Sequence, residues 1–426
     1  MKFDFSDIDS GASAWVLVSA ALVLLMTPGI AFFYGGMVRS KHVLTMLMQC
    51  FMVMALVSIT WIVVAYSLAF GEGNRLVGDL HFGFLSHMDE VVPGYTGASA
   101  MVIPPLIFVI FQMMFAVITP ALITGSTADR WRFEAFVPFM IIWSILVYAP
   151  VAHWVFSPVG WAEHIGNTRA LDFAGGTVVH ANAGAAGLAM ALVLGRRRGS
   201  PDEMRAHNLP FVMLGTALLW FGWFGFNAGS ALRPSGTTHD TQVAAYAFVN
   251  TNTATAMALL TWVLMERLYR GRATTLGAAS GAVAGLVAIT PCAGFVSPAG
   301  AIAVGALSAL GCGVAVTMKT RLGYDDALDV AGLHLVGGVI GSLGVGLFAT
   351  TSVNPAGSNG LFYGGGFQQL GAQAVTVIAV VAYSFMVTLV LGGVLGRMLR
   401  NRVTPEQEEE GLDQSIHGER AYTFQG

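Results

Sequence analysis

The sequence predicts an all-α polytopic membrane protein with eleven transmembrane helices, its N-terminus outside and its C-terminus inside. Three observations carry that prediction. The 426 residues are 55% hydrophobic and only 11% charged, with a mean hydropathy of +0.67. A soluble chain carries roughly 25% charge, so this one lacks the charge to cover a water-facing surface. Apolar runs of about 20 residues, the length that crosses about 30 Å of hydrocarbon, recur along the chain. Between those runs the basic residues cluster on alternate sides. The same composition excludes a soluble enzyme and a disordered scaffold, and a net charge of −3 with a pI near 6.4 excludes a nucleic-acid binder.

The runs fall at about 13–35, 43–70, 101–124, 135–156, 174–195, 209–231, 243–265, 274–290, 297–318, 328–350 and 370–396. The first is too long for a signal-peptide core and has neither a basic leader nor an A-x-A site, so it reads as a retained helix. The eighth, TLGAASGAVAGLVAITP, is short and rich in small residues, which suits a helix packed inside the bundle. With the N-terminus outside, 17 of the 21 basic residues fall on the inner side, from Arg39 and Lys41 through Arg196, Arg197 and Arg198 to Arg402 and Arg420. Lys2, Arg75, Arg169 and Arg233 fall outside. A wrong span count would scramble that alternation. The chain then divides into a membrane domain over 1–396 and a polar cytoplasmic tail over 397–426.

Of all the ionisable side chains, two are expected deep in hydrocarbon, His180 and His334. An ionisable group there is expensive, and it is a functional candidate by default. The alternative is a core histidine that ties helices together. Both lie in the pattern D-x7-H-x3-G: Asp172, His180 and Gly184, then Asp326, His334 and Gly338, offset by 154 residues. The copies fall in the fifth and tenth spans. Five is odd, so the halves 13–195 and 209–350 have opposite topology, an inverted repeat with span 370–396 added. Eight helical residues carry each histidine about 12 Å inward from its aspartate, so the two imidazoles meet near the midplane. Each aspartate suits a helix-capping role, and Asp172 also makes the outer mouth electronegative. At about 12 Å neither aspartate shares a coordination shell with its histidine. Cys50, Cys292 and Cys312 have no metal-ligand spacing, so no metal or other cofactor is expected.

Long blocks of the chain resemble the ammonium transporter family. They are PGIAFFYGGMVRSK, FQMMFAVITPALITG, DFAGGTVVH, HNLPFVMLGTALLWFGWFGFNAGSA, AFVNTNTATA, GAASGAVAGLVAITPCAG, DDALDVAGLHLVGGVIG and GLDQSIHGERAY, in order from the first span to the tail. The resemblance implies eleven helices per subunit, a homotrimer with one pore in each subunit, and a place in the plasma membrane (the inner membrane in a bacterium). Carried onto this chain, it puts an outer recruitment site at Phe115, Ser230 and a third aromatic, with Asp172 nearby. It puts a stacked gate at Phe115 and Phe226, lined by Phe111 and Trp223, above the paired pore histidines His180 and His334. Where the family commonly carries Trp after A-H-x-V, this chain has Phe156, and Trp161 follows five residues on; either completes the aromatic site.

The residue types suit ammonium. Aromatic faces attract a small cation by about 0.5–2 kcal/mol each, and a serine hydroxyl accepts one of its N–H bonds. Below such a gate a bare cation meets a Born cost of about 20 kcal/mol, most of which disappears if the ion sheds a proton. Neutral imidazoles accept and donate, so the pair suits ammonia and a proton relay. The tail alone reads as a disordered acidic segment. The resemblance instead implies packing on the cytoplasmic pore mouths through Gly411, Asp413, His417, Gly418, Glu419 and Tyr422. It also implies a nitrogen-regulatory protein of the PII type as partner. Two other readings stay open: a Rhesus-type channel for NH3 or CO2, and a membrane sensor of ammonium.

Overall fold

A computed structural model describes residues 1–95, 101–199, 204–232 and 242–422; Arg233, one of the four basic residues expected outside, lies outside that set. Helices are the only extended elements among the described residues, with isolated bridges elsewhere. Among the described residues, nine rods are long and apolar enough to span a bilayer. They include α1 (Ser10–Met37), α2 (Ser40–Phe70), α3 (Pro105–Thr127), α5 (Gly176–Leu194), α6 (Leu209–Gly229), α9 (Pro298–Leu322), α10 (Ala331–Phe348) and α11 (Gln368–Leu399). The ninth, α4, runs from Phe133–Trp143 through Ser144–Tyr148 to Ala149–Phe156. Two further helices occupy the seventh and eighth predicted spans, α7 (Val243–Arg270) and the short α8 (Thr275–Ile289). Two short helices, α12 (Pro405–Glu410) and α13 (Leu412–His417), complete the tail.

The helix starts are chemically marked. Asp9 accepts from Ala12 N at 2.9 Å, Asn208 from Phe211 N at 3.0 Å and Thr274 from Gly277 N at 2.9 Å, each satisfying an amide that has no partner within its own helix. Apolar side chains such as Ile378, Val390, Leu260 and Leu264 face outward, as a lipid-facing belt requires. As predicted, α8 is buried along most of its length.

Among the packed pairs, α1 runs along α6, and α5 meets α10. His180 and His334 each sit in a π-helical turn, Gly176–Ala181 and Ala331–Leu335, each followed by a regular segment. A π-turn closes its hydrogen bonds one residue later than an α-turn and recurs at functional sites. Here His180 N donates to Gly175 O at 3.1 Å. This corrects the simple rise estimate. The helices begin at Gly176 and Ala331, so Asp172 and Asp326 stand in the preceding loops, and the residues between are not a continuous α-helix. His153, near the end of α4, is also fully buried within the protein, its Nδ1 2.9 Å from Ala69 O and its Nε2 2.6 Å from Asn74 O. It ties α4 to the end of α2 and to the loop that follows.

The tail packs on one end of the bundle. Asp413 Oδ1 accepts from Thr45 N at 2.8 Å and Thr45 Oγ1 at 2.9 Å, and Oδ2 from Leu44 N at 3.0 Å. It therefore caps the regular part of α2 from a distant point in the chain. Gly411 has φ +110° and runs so close to Lys41 that a Cβ there would lie 2.6 Å from the lysine Cβ. His417 meets Phe133 edge-on at 5.4 Å, and the Tyr422 hydroxyl is 2.8 Å from His207 Nε2. Gly418 ends α13 with φ +69°, and Glu419 N donates to Asp413 O at 3.0 Å.

Candidate functional site

The π-turns of α5 and α10 bring the two imidazoles together at the centre of the bundle. His180 Nδ1 and His334 Nδ1 are 3.2 Å apart, with ring planes tilted by 21°. Both rings are buried. The glycines of the repeated pattern make the approach possible. A Cβ on Gly184 would lie 2.2 Å from Leu335 N, beside His334. A Cβ on Gly338 would lie 2.7 Å from Ala181 N, beside His180. Each repeat thus uses its own glycine to admit the histidine turn of the other.

One nitrogen of the Nδ1 pair donates and the other accepts. The donor ring then has a bare Nε2, and the acceptor ring carries its proton on Nε2. Among the described residues His180 Nε2 meets no protein partner. Both rings line a narrow cavity with Ile30, Phe33, Tyr34, Ile118, Leu122, Leu219, Trp223 and Val283. Its interior admits about one water-sized molecule at a time. The wall is almost wholly apolar, so the imidazoles are its principal hydrogen-bonding groups.

Above the histidines the aromatic side chains stack in sequence. Trp223 lies parallel to His180 at 5.2 Å, with its indole N–H given to Thr290 Oγ1 at 2.8 Å. Phe226 is 5.9 Å from His180 and 4.4 Å from Phe115. Phe111 meets Phe115 edge-on at 5.0 Å, one helical turn earlier on α3. Phe156 reaches Phe115 edge-on at 6.4 Å, whereas Trp161 packs on Trp154 at 5.9 Å. Of the two aromatic candidates, then, Phe156 joins the Phe115 group. Ser230 donates its hydroxyl proton to Phe226 O at 2.8 Å, which leaves the oxygen lone pairs as acceptors.

The two aspartates differ more than their repeat suggests. Asp172 accepts from Gly175 N, Gly176 N, Thr177 N and Val178 N at 2.7–3.1 Å, two bonds to each oxygen. Gly175, at φ +107°, folds the loop back so that these amides converge. Burial pushes the Asp172 carboxyl up from its ordinary pKa, and the four N–H bonds oppose that shift. Asp326 instead accepts from Ser126 Oγ at 2.8 Å and Ala331 N at 2.7 Å, which ties α3 to α10. The apolar residues that line the cavity on α1, α3, α6 and α8 had no distinguishing signal in the sequence. Ile30 or Leu219 looks like any other core residue of a span. Thr290, which holds the Trp223 indole, was equally silent.

Fold and cavity together define a class, the multi-pass helical membrane transporters. The relatives narrow it: the model of the Ammonium Transporter Family matches residues 14–422, and the chain belongs to that family. It is 50% identical to an ammonium transporter of Mycobacterium tuberculosis over 98% of this chain and 91% of the relative. With an ammonium transporter of Bacillus subtilis the identity is 48% over 97% and 98% of the two chains. Among solved structures, Mep2 of Candida albicans superposes with a TM-score of 0.85 at 34% identity, over 94% of this chain and 88% of that one. A structure described as a sensor Amt protein superposes with a TM-score of 0.83 at 30% identity, over 95% and 97%.

Proposed function

We propose that the chain takes up ammonium from the side bearing Phe115, Phe156 and Ser230, strips one proton, and conducts ammonia past His180 and His334. The observation that carries the reading is a pair of touching, buried imidazoles on a narrow apolar cavity, roofed by stacked aromatic rings. The aromatic faces attract the cation, and Ser230 Oγ accepts one of its N–H bonds. Asp172 is fully engaged by backbone amides, so its part is a fixed negative charge near the mouth rather than a direct ligand. The Phe115–Phe226 stack closes the way, and the ring pair must part for passage.

Beyond the stack an ion faces a Born cost of about 20 kcal/mol, which the apolar wall does nothing to offset. Neutral ammonia does not face it. The bare Nε2 of one histidine accepts from ammonia, and the Nε2–H of the other donates to its lone pair. The Nδ1–Nδ1 contact links the rings, so a proton taken at one Nε2 is relayed to the other by exchange of tautomers.

The chain is further proposed to sit N-terminus out in the plasma membrane, to form homotrimers, and to bind a PII-type regulatory protein at the tail-bearing face. The basic residues that mark one side, and the tail packed on the bundle at Asp413 and Gly411, support that face as cytoplasmic. The test is current on a solid-supported membrane with reconstituted protein, comparing ammonium, methylammonium and potassium. Ammonium-evoked current, absent with potassium and lost or made unselective in His180→Leu and His334→Leu, is expected. Normal selective uptake in either variant overturns the histidine role. Absence of both current and isotopic uptake in the parent favours a sensor.

A further inference from the structure

Helix α11 stands outside the inverted repeat, yet it carries two buried glutamines, Gln369 and Gln373, one turn apart on its inner face. Gln373 Oε1 accepts from Leu171 N at 2.7 Å, and its Nε2 donates to Leu171 O at 2.7 Å and to Ser342 O at 3.0 Å. Gln369 Nε2 donates to Arg169 O at 3.0 Å and to Gln373 Oε1 at 3.1 Å, while its Oε1 accepts from Thr168 Oγ1 at 3.1 Å. The segment 168–171 thus lies along α11 as a strand lies along a neighbour, with both backbone groups of Leu171 matched to one amide. Asp172 is the next residue. Its carboxylate gathers the four amides that start the His180 turn, and Thr177 Oγ1 in that turn is 2.7 Å from Ser342 Oγ on α10.

We infer that Gln373 is a positioning residue for transport: it fixes Leu171, and through Asp172 the π-turn that holds His180 against His334. The inference rests on the transport reading above. A buried amide making three backbone bonds across three segments has no cheap substitute, because removing it leaves the Leu171 N–H and C=O and the Ser342 C=O without that partner. The eleventh helix is therefore the brace that sets the histidine turn, as well as part of the membrane-facing wall. Gln369 supports the same segment one turn earlier.

The test uses full-length protein carrying Gln373→Met, Gln373→Glu and Gln369→Met. Two quantities are read: hydrogen–deuterium exchange over 168–180, and ammonium and methylammonium currents per folded molecule. Gln373→Met is expected to speed exchange of the Leu171 and 175–178 amides. It is also expected to lower the ammonium current at least about tenfold, since a misplacement near 1 Å costs that much or more in an oriented site. The ratio of ammonium to methylammonium current should change as well. Gln373→Glu keeps an acceptor for Leu171 N and should fall between Gln373→Met and parent; Gln369→Met should do the same. A purely structural role lowers the folded yield and leaves exchange, per-molecule current and ratio within about twofold of parent; that result overturns the inference. If Gln373→Met fails to fold, the other two variants decide by the same criteria. A parent with neither ammonium current nor isotopic uptake defeats the transport reading instead, and exchange over 168–180 then decides the positioning role by itself.

Discussion

Gly184→Ala offers a strict test of how the histidine pair is held. A Cβ at this position would lie 2.2 Å from Leu335 N and 2.6 Å from Leu335 Cα, backbone atoms with no rotamer to absorb the clash. To bring 2.2 Å up to an ordinary 3.4 Å contact, the α5 and α10 turns must part by about 1.2 Å. If the separation is passed to the rings, the Nδ1 atoms move from 3.2 Å to about 4.4 Å, beyond hydrogen-bond reach. Overpacking of this kind costs about 1–3 kcal/mol, enough to lower the unfolding temperature without abolishing the fold. The assay pairs thermal unfolding in detergent with ammonium-evoked current. The variant should unfold at lower temperature and lose most of its current. Gly338→Ala, facing Gly176 O at 2.6 Å and Ala181 N at 2.7 Å, should behave alike. Gly371→Ala on α11, with open space around its Cβ, serves as the control and should match the parent in current. Parent-like current in Gly184→Ala would refute the claim that close approach of the turns sets the relay.

Phe156→Ala should raise the half-saturating ammonium concentration by about 2- to 30-fold, the value of one cation–π contact, while Trp161→Ala leaves it near parent; the reverse ranking in a current titration assigns the aromatic site to Trp161. Asp413→Ala removes the cap on α2 and should cost about 1–2 kcal/mol, seen as faster proteolysis of residues 400–422; unchanged protection means the tail is held elsewhere. Asp325 pairs with Arg197 at 2.8 Å. Burial pushes its carboxyl up, but the Arg197 hydrogen bonds and the charges of Arg197 and Arg130 outweigh burial and hold it well below the usual carboxylate range. Its stabilisation is therefore present above the ordinary carboxylate value and fades as pH falls below about 4. Asp325→Asn should lose about 1–3 kcal/mol at neutral pH, with the gap to parent closing in acid; a constant gap in unfolding temperature argues against the ion pair.

A helix lies at each of the eleven predicted segments, nine of those among the described residues being long and apolar enough to span, and they were legible because a bilayer demands long apolar runs and punishes charge within them. Their ends were legible to within a few residues, while the caps at Asp9, Asn208 and Thr274 became visible only in the structure. The histidines stood out as rare ionisable groups, and their shared pattern exposed the repeat. Other features were hidden. His153 lay inside a predicted span, in the A-H-x-V stretch that served only to place Phe156, and its two carbonyl partners, at the end of α2 and in the loop after it, lie 84 and 79 positions earlier. Which of Phe156 and Trp161 packs beside Phe115 is a question of side-chain direction in the fold that spacing five residues apart does not answer. Gln369 and Gln373 read as unremarkable polar residues near a span end, because their partners lie about 200 positions earlier.

By itself, the sequence determined that the chain crosses a membrane in many passes, that the pattern D-x7-H-x3-G occurs twice, and that His180 and His334 are the groups to explain. These follow from composition and periodicity, which local solvent chemistry dictates. The tertiary structure decided how the parts meet: which glycine admits which turn, which aromatic side chains share a column, and which amide of α11 holds the loop before Asp172. Those depend on helix rotation and on close packing between segments far apart in the chain. A one-dimensional pattern constrains each face of a helix, but only the packed bundle selects its partner.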